Sequence, residues 1–96
     1  MAFQIGDNRK VVTTAGTAEA LEASFHEVQW VIIQAETDNT GIIAVGASTV
    51  VAAQGTQRGM TLFAGESTPP LPLVDLNKLY INATVSGDGV NYVYLG

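Results

Sequence analysis

The sequence predicts an all-β protein: a single small antiparallel β-sandwich or jelly-roll-like barrel of about eight short strands, occupying residues 1–96 as one domain. Three observations carry this expectation. The central block Val28–Ala53 holds two apolar runs on either side of a polar segment, Glu36–Gly41. The stretch Lys78–Val85 alternates at period two, with Leu79, Ile81, Ala83 and Val85 on one face and Tyr80, Asn82 and Thr84 on the other. Turn-forming residues punctuate the chain at short intervals, and β-branched residues fill the intervals between them.

Taken in order, Phe3–Ile5 reads as a short strand, Gly6-Asp7-Asn8 as a turn, and Arg9–Thr14 as a β-branched strand. Ala18–Ser24 favours helix by propensity. It is too short to stand as an isolated helix and has no capping box, so a strand is expected there. Val28–Glu36 is the strongest strand, followed by Gly41–Gly46 and Ser48–Ala53. Gln54–Gly59 is a polar loop and Met60–Phe63 a short strand. Thr68–Pro72 carries all three prolines, which lack the N–H a ladder needs, so it reads as a sheet edge or an extended connector. Ser86-Gly87-Asp88-Gly89 reads as a hairpin turn, with Asp88-Gly89 suited to positive φ, and Val90–Leu95 is the returning strand.

The two central runs are apolar on both faces. Val28, Trp30 and Ile32 oppose Val31, Ile33 and Ala35; Ile43 and Val45 oppose Ile42 and Ala44. A half-buried strand alternates instead, so both faces of these strands call for a cover. A small sandwich has one inner face per sheet, which points to a second subunit for the other cover. The expected interface residues are Val28, Trp30, Ile32, Ile43 and Val45, joined by Tyr80, Tyr92 and Tyr94 of the last two strands.

Composition narrows the function. With 9 acidic and 4 basic residues the net charge is −5, and Arg9, Lys10, Arg58 and Lys78 are too few and scattered to track a phosphate backbone. Direct nucleic-acid binding is not expected. No cysteine is present to form a disulfide or a thiolate metal site. The first ten residues, with Met1 read as a native start, lack the basic start and apolar core of a signal peptide. No apolar run approaches the ~20 residues of a membrane span. The expected place of synthesis is a cytoplasm, with no membrane partner.

Catalytic chemistry has little to draw on. His26 is the only histidine, which excludes a multi-histidine metal site, and it falls in the polar break Phe25-His26-Glu27. No nucleophile-elbow pattern surrounds Ser24, Ser48, Ser67 or Ser86. Glu36, Asp38 and Asn39 offer oxygens to a cation, but they lack the spacing of a calcium loop and serve equally as turn formers. Gly55–Gly59 matches neither a phosphate loop nor a dinucleotide fingerprint, and Asn82-Ala83-Thr84 is a glycosylation sequon placed inside a strand. No catalytic, cofactor-binding or metal-binding residue is therefore expected, and the protein is not expected to be an enzyme.

The run VQWVIIQAETDNTGIIAVG, then RGMTLFAGES, then DLNKLYINATVSGDGVNYVYLG resembles a module of small β-rich virion-associated proteins of tailed bacteriophages. The shared pattern is an apolar strand ending in QA, an NTG-x-I-x-VG hairpin, an AGES-type turn and a DL-xxx-YI-x-A-xxx-G-x-G-V-x-Y ending. It covers roughly Val28–Gly96, and the TPPLP segment after Ser67 departs from it. The family decorates capsids or serves as head fibres and tail-associated proteins. The resemblance thus implies a structural virion protein, most directly a capsid decoration protein, made in the host cytoplasm. It would bind the major capsid protein or another virion protein. The alternative is a receptor- or glycan-binding module of a tail fibre or related adhesin. Two-faced apolarity implies a homo-oligomer, and the capsid setting favours a homotrimer.

Overall fold

A computed structural model describes residues 4–96, together with all side chains in them except that of Leu73. Phe3 of the expected first strand lies outside the described residues. The elements are β1 (Ile5–Val11), β2 (Glu19–Ala20), β3 (Glu27–Ala35), β4 (Ile43–Gly46), β5 (Met60–Leu62), β6 (Leu71–Asp75), β7 (Tyr80–Ala83) and β8 (Gly89–Leu95). Among the described residues there is no helix. The strands form two four-stranded antiparallel sheets, β1-β8-β3-β6 (sheet A) and β2-β7-β4-β5 (sheet B).

Both sheets feed one core. Val31, Ile33 and Ala35 of β3 and Val90 and Tyr92 of β8 meet Ile43 and Val45 of β4, Leu62 of β5 and Ile81 and Ala83 of β7. Val12, Leu21 and Leu76, each just beyond the end of a strand, close the core at its margins. Burying a side chain of this size contributes about 1.5–3 kcal/mol, so these residues dominate the stability.

Apart from β4 and β5, strands consecutive in sequence lie in different sheets. The turn at 86–89 is therefore not the expected hairpin: it carries the chain from sheet B to sheet A. The positive φ falls on Gly87 (95°), one residue before the expected Asp88-Gly89. The Glu36–Gly41 turn likewise connects sheet A to sheet B. Local turn chemistry is legible in a sequence, but the choice between pairing back and crossing over is made by packing.

Three further expectations change. Gly6-Asp7-Asn8 is not a turn but the middle of β1, which pairs with β8 in a single register from Ile5↔Leu95 to Val11↔Gly89. Gly6 is there because the Tyr94 ring lies over it: a Cβ at that position would meet ring atoms at 2.4 Å. Ala18–Ser24 contributes strand only at Glu19–Ala20. Ser48–Ala53 is not a strand; its one ladder contact is the Val51↔Arg58 bridge.

That last segment overturns the expectation that β4 needs a second subunit. The outer face of β4 presents Ala44, which is fully buried under Val50 and Ala52 of the 47–59 loop, with Ala18 and Tyr80 alongside. Asn82 of β7, 2% exposed, ties this cover down by donating from Nδ2 to the Val50 carbonyl at 3.0 Å. Its Oδ1 accepts from the Gly16 N–H at 3.1 Å and the Ala83 N–H at 2.8 Å. The chain covers sheet B itself.

The proline segment behaves as an edge: β6, carrying Pro72, is an outer strand of sheet A. Upstream of Pro69-Pro70, residues 65–68 continue alongside β3. Thr68 donates its N–H to the Ile33 carbonyl and accepts the Ile33 N–H on its hydroxyl, at 2.8 and 3.1 Å. A buried side chain thus stands in for a ladder partner.

Candidate functional site: the open face of sheet A

In sheet A the side chains of Val31, Ile33, Tyr92 and Tyr94 face the core, so their strand neighbours point outward. Register places these outward residues in rows. Ile5, Leu95, Trp30 and Pro72 form one, Asp7, Val93 and Ile32 the next, and Arg9, Asn91 and Gln34 a third. The first two rows are mainly apolar and the third is polar. Ile5 is 61% exposed and Val93 40%; Trp30, Ile32 and Leu95 are half-buried, and Pro72 is exposed. Open depressions flank β8 along this face, one lined by Asp7, Arg9 and Asn91, the other by Ile32, Gln34 and Ser67. Among the described residues none lies over these rows as the 47–59 loop lies over sheet B.

The polar border is organised by an ion pair. Glu36, just past β3, is 8% exposed, and its carboxylate accepts from Arg9 Nε and from Arg9 Nη2, the latter at 3.2 Å. To reach Arg9 it passes Gly89 of β8, where a Cβ would sit 3.1 Å from Glu36 Oε1 and 2.6 Å from the Lys10 carbonyl. The hydrogen bond and the charge of Glu36 raise the Arg9 guanidinium above its ordinary value, with Asp38 adding to the effect. The side chain of Arg9 remains 59% exposed.

This pair occupies both carboxylate oxygens of Glu36, one of the three residues considered for a cation. Asn39 is held by Gly89, donating to its carbonyl at 2.9 Å and accepting its N–H at 3.0 Å. Asp88, 6% exposed, accepts from the Thr40 and Gly41 N–H groups. Among the described residues no group of three metal-type ligands comes together. The carboxylates and amides of this end hold loops to one another.

A second polar cluster lies at the other end of sheet A. Glu22 accepts the Tyr92 hydroxyl at 2.9 Å on one oxygen, and its other oxygen lies 2.8 Å from His26 Nδ1. His26 meets Tyr94 edge to face, with ring centroids 4.8 Å apart. Burial pushes the Tyr92 hydroxyl well above its ordinary value, reinforced by the adjacent Glu22 carboxylate. His26 also donates its N–H to Asp75 Oδ1 and accepts the Leu76 N–H on its carbonyl. The sequence placed His26 in a surface break; the structure makes it a half-buried link between Glu22, β6 and Tyr94. Among the described residues no serine or threonine hydroxyl is bonded to His26.

The expected interface residues divide. Val28, Ile43, Val45 and Tyr92 are 0–3% exposed and belong to the core, so their side chains present no surface to a partner. Tyr80 packs on the Ala44 cluster and Tyr94 on the main core, each keeping an accessible portion. Trp30 and Ile32 remain on the open face of sheet A. Val28 shares strand parity with Trp30 yet is buried, because β3 runs past the end of β8 there and pairs with β6 alone. Two-stranded ribbons twist more strongly than sheet interiors, which turns that end toward the core. The sequence reading missed Ile5, Val93 and Leu95; their alternation along β1 and β8 signals a face, but only the register puts them beside Trp30. Compared with protein-family models, curated proteins and solved structures, the chain matches none.

Proposed function

We propose that this chain is a structural protein of a tailed-bacteriophage virion, most directly a capsid decoration protein that acts by protein–protein binding and not by catalysis. The observation that carries the proposal is the unequal covering of the two sheets. The 47–59 loop buries the outer face of sheet B, while sheet A leaves Trp30, Ile32, Val93 and Ile5 accessible in adjacent rows. A contiguous apolar surface bordered by polar groups is the ordinary mark of a protein-binding site. The partner would be the major capsid protein or another virion protein, and the working location the virion.

We further propose that the sheets face each other as an eight-stranded jelly roll. Support comes from the strand order, β1-β8-β3-β6 and β2-β7-β4-β5, in which the first and last strands pair and nearly every connection changes sheet. Jelly rolls recur in viral capsid proteins and in lectins. The resemblance over Val28–Gly96 points the same way.

Particles of the phage or prophage that encodes the chain provide the test. Mass spectrometry of purified particles is expected to recover the chain in amounts comparable to capsid subunits. Abundance in the lysate with absence from the particles overturns the reading. The adhesin reading has one observation in its favour: half-exposed Trp30 shares its face with the side-chain amides of Gln34 and Asn91, a pairing suited to stacking on and hydrogen-bonding a sugar. Saturable binding on a glycan array, lost in Trp30→Ala, would favour it.

A further inference from the structure

We infer that the free edge of β1 is a self-pairing site, at which a second copy of this chain adds its own β1 antiparallel across a two-fold axis at Asn8. The inference concerns sheet A's edge and stands apart from where the protein works. β1 is an outer strand of sheet A. Gln4 and Gly96 exchange both backbone hydrogen bonds, and Val12 donates to the Asp88 carbonyl. In an antiparallel ladder such pairs alternate, so Gly6, Asn8 and Lys10 bond to β8 while Ile5, Asp7, Arg9 and Val11 turn their N–H and C=O groups to the open side. Of these groups the Arg9 N–H donates to Asn8 Oδ1 at 2.8 Å, an exposed local bond that a partner strand's carbonyl would replace.

The other edges are blunted. β2 has two residues, β5 three, and β6 carries Pro72. β1 has seven residues, no proline and an unbroken register with β8. Its charges, Asp7 and Arg9, would ordinarily be read as edge protection. They are instead opposite in sign and symmetric about Asn8. Two-fold pairing sets Asp7 against Arg9 of the second copy and Ile5 against Val11 of the second copy. These are the residues whose backbone groups face outward, so the ladder is a permitted one. Opposite charges and apolar pairs then meet across the strands, each favourable. Asp7 is exposed and makes no salt bridge among the described residues. Arg9, though bonded to Glu36, keeps its side chain 59% exposed. The product is an isologous dimer whose two open faces join into one surface, in place of the trimer suggested by a capsid setting.

The absence of native cysteine makes the test direct. Asn8 opposite Asn8 of the second copy is a non-hydrogen-bonded pair, with Cα atoms about 4.5 Å apart. That separation lies within disulfide range. Asn8→Cys is expected to cross-link to a covalent dimer under mild oxidation, while Ala53→Cys on the loop over sheet B stays uncross-linked, running as a single chain on a denaturing gel. Light scattering of the wild-type protein at micromolar concentration should give twice the 10.1 kDa chain mass. Asp7→Pro removes one outward N–H without touching the ladder to β8, and should halve the mass with the β-type circular dichroism spectrum retained. A wild-type monomer at all concentrations, an uncross-linked Asn8→Cys, or a folded Asp7→Pro that remains dimeric each overturns the inference. If Asp7→Pro does not fold, the comparison of Asn8→Cys with Ala53→Cys decides.

Discussion

Replacing Asn82 with alanine is expected to uncouple the cover of sheet B from the sheet beneath it. Asn82 is 2% exposed and joins three parts of the chain: it accepts from Gly16 and Ala83 and donates to Val50. The bonds are not equally costly to lose. The Gly16 N–H also reaches the Ala83 carbonyl at 3.1 Å and belongs to an exposed residue, so its loss falls in the range of about 0.5–1 kcal/mol. Val50 is buried, and its orphaned carbonyl costs about 1–3 kcal/mol. Together these losses should make Asn82→Ala less stable by about 1.5–4 kcal/mol, a large share of the ~5–15 kcal/mol typical of small proteins. With about 4–8 °C lost per kcal/mol in a domain of this size, the melting temperature should fall by roughly 6–32 °C. Asn82→Asp separates the contributions: it keeps the acceptor for Gly16 and Ala83 but sets a carboxylate against the Val50 carbonyl. Thermal melts followed by circular dichroism give the stability, and limited proteolysis within 47–59 reports the cover itself. A loss under about 0.5 kcal/mol, with unchanged proteolysis, would refute the assignment of Asn82 as the anchor.

Trp30→Ala is expected to cost about 1–2 kcal/mol, below the ~3–5 kcal/mol of a fully buried aromatic, because Trp30 lies outside the core; acrylamide should quench its fluorescence, and an unquenched emission from the monomer would contradict this. Gly59→Ala should destabilise well beyond Gly55→Ala. Both have positive φ, 96° and 88°, with a strain of about 1–3 kcal/mol, but only at Gly59 does the Cβ meet a backbone carbonyl, that of Val45 at 2.5 Å; equal melting temperatures would count against it. The raised Tyr92 hydroxyl means that the unfolded chain ionises first, so its contribution is complete below about pH 10 and is lost as pH rises above it; Tyr92→Phe should flatten the alkaline fall in melting temperature between pH 9 and 11 on the order of that titration. At the acid end, the N–H of His26, then that of Asn77, holds the Asp75 carboxyl below its ordinary value. Its contribution is present above roughly pH 4 and lost as pH falls further, so Asp75→Asn should reduce the acid slope of a urea-unfolding series.

Strand positions were largely legible in the sequence, because period-two alternation and β-branched runs are local properties: β3, β4, β7 and β8 fall close to where patterning put them. What was not legible was long-range. Gly6-Asp7-Asn8 carries turn chemistry, yet pairing along the whole of β8 and the ring of Tyr94 above Gly6 hold it extended. Val50 and Ala52 look like strand residues because they are apolar at alternate positions. They are apolar because they cover Ala44, and a loop can do this as well as a strand. The same ambiguity misled the reading of the site. Double-sided apolarity identifies a strand with two covers, but it does not say whether the second comes from the same chain. For β4 it does. For β3 the residues on the uncovered side, Trp30 and Ile32, were among those named, whereas Ile43 and Val45 were not distinguishable from them without the topology.

β8 bonds to β1 on one side and β3 on the other, which makes the last of the described strands an interior strand of sheet A. During synthesis β3 and β6 emerge able to pair with each other, but β1 is joined to them only when β8 follows. The hydrophobic row that ends up accessible on the finished sheet therefore has no assembled counterpart in the nascent chain. Because the closing contacts join the two extremes of the described sequence, folding is expected to be slow for the chain's size, in the millisecond-to-second range of all-β topologies. The rows of Ile5, Trp30, Ile32 and Val93 thus come into register only once β8 has paired with both β1 and β3.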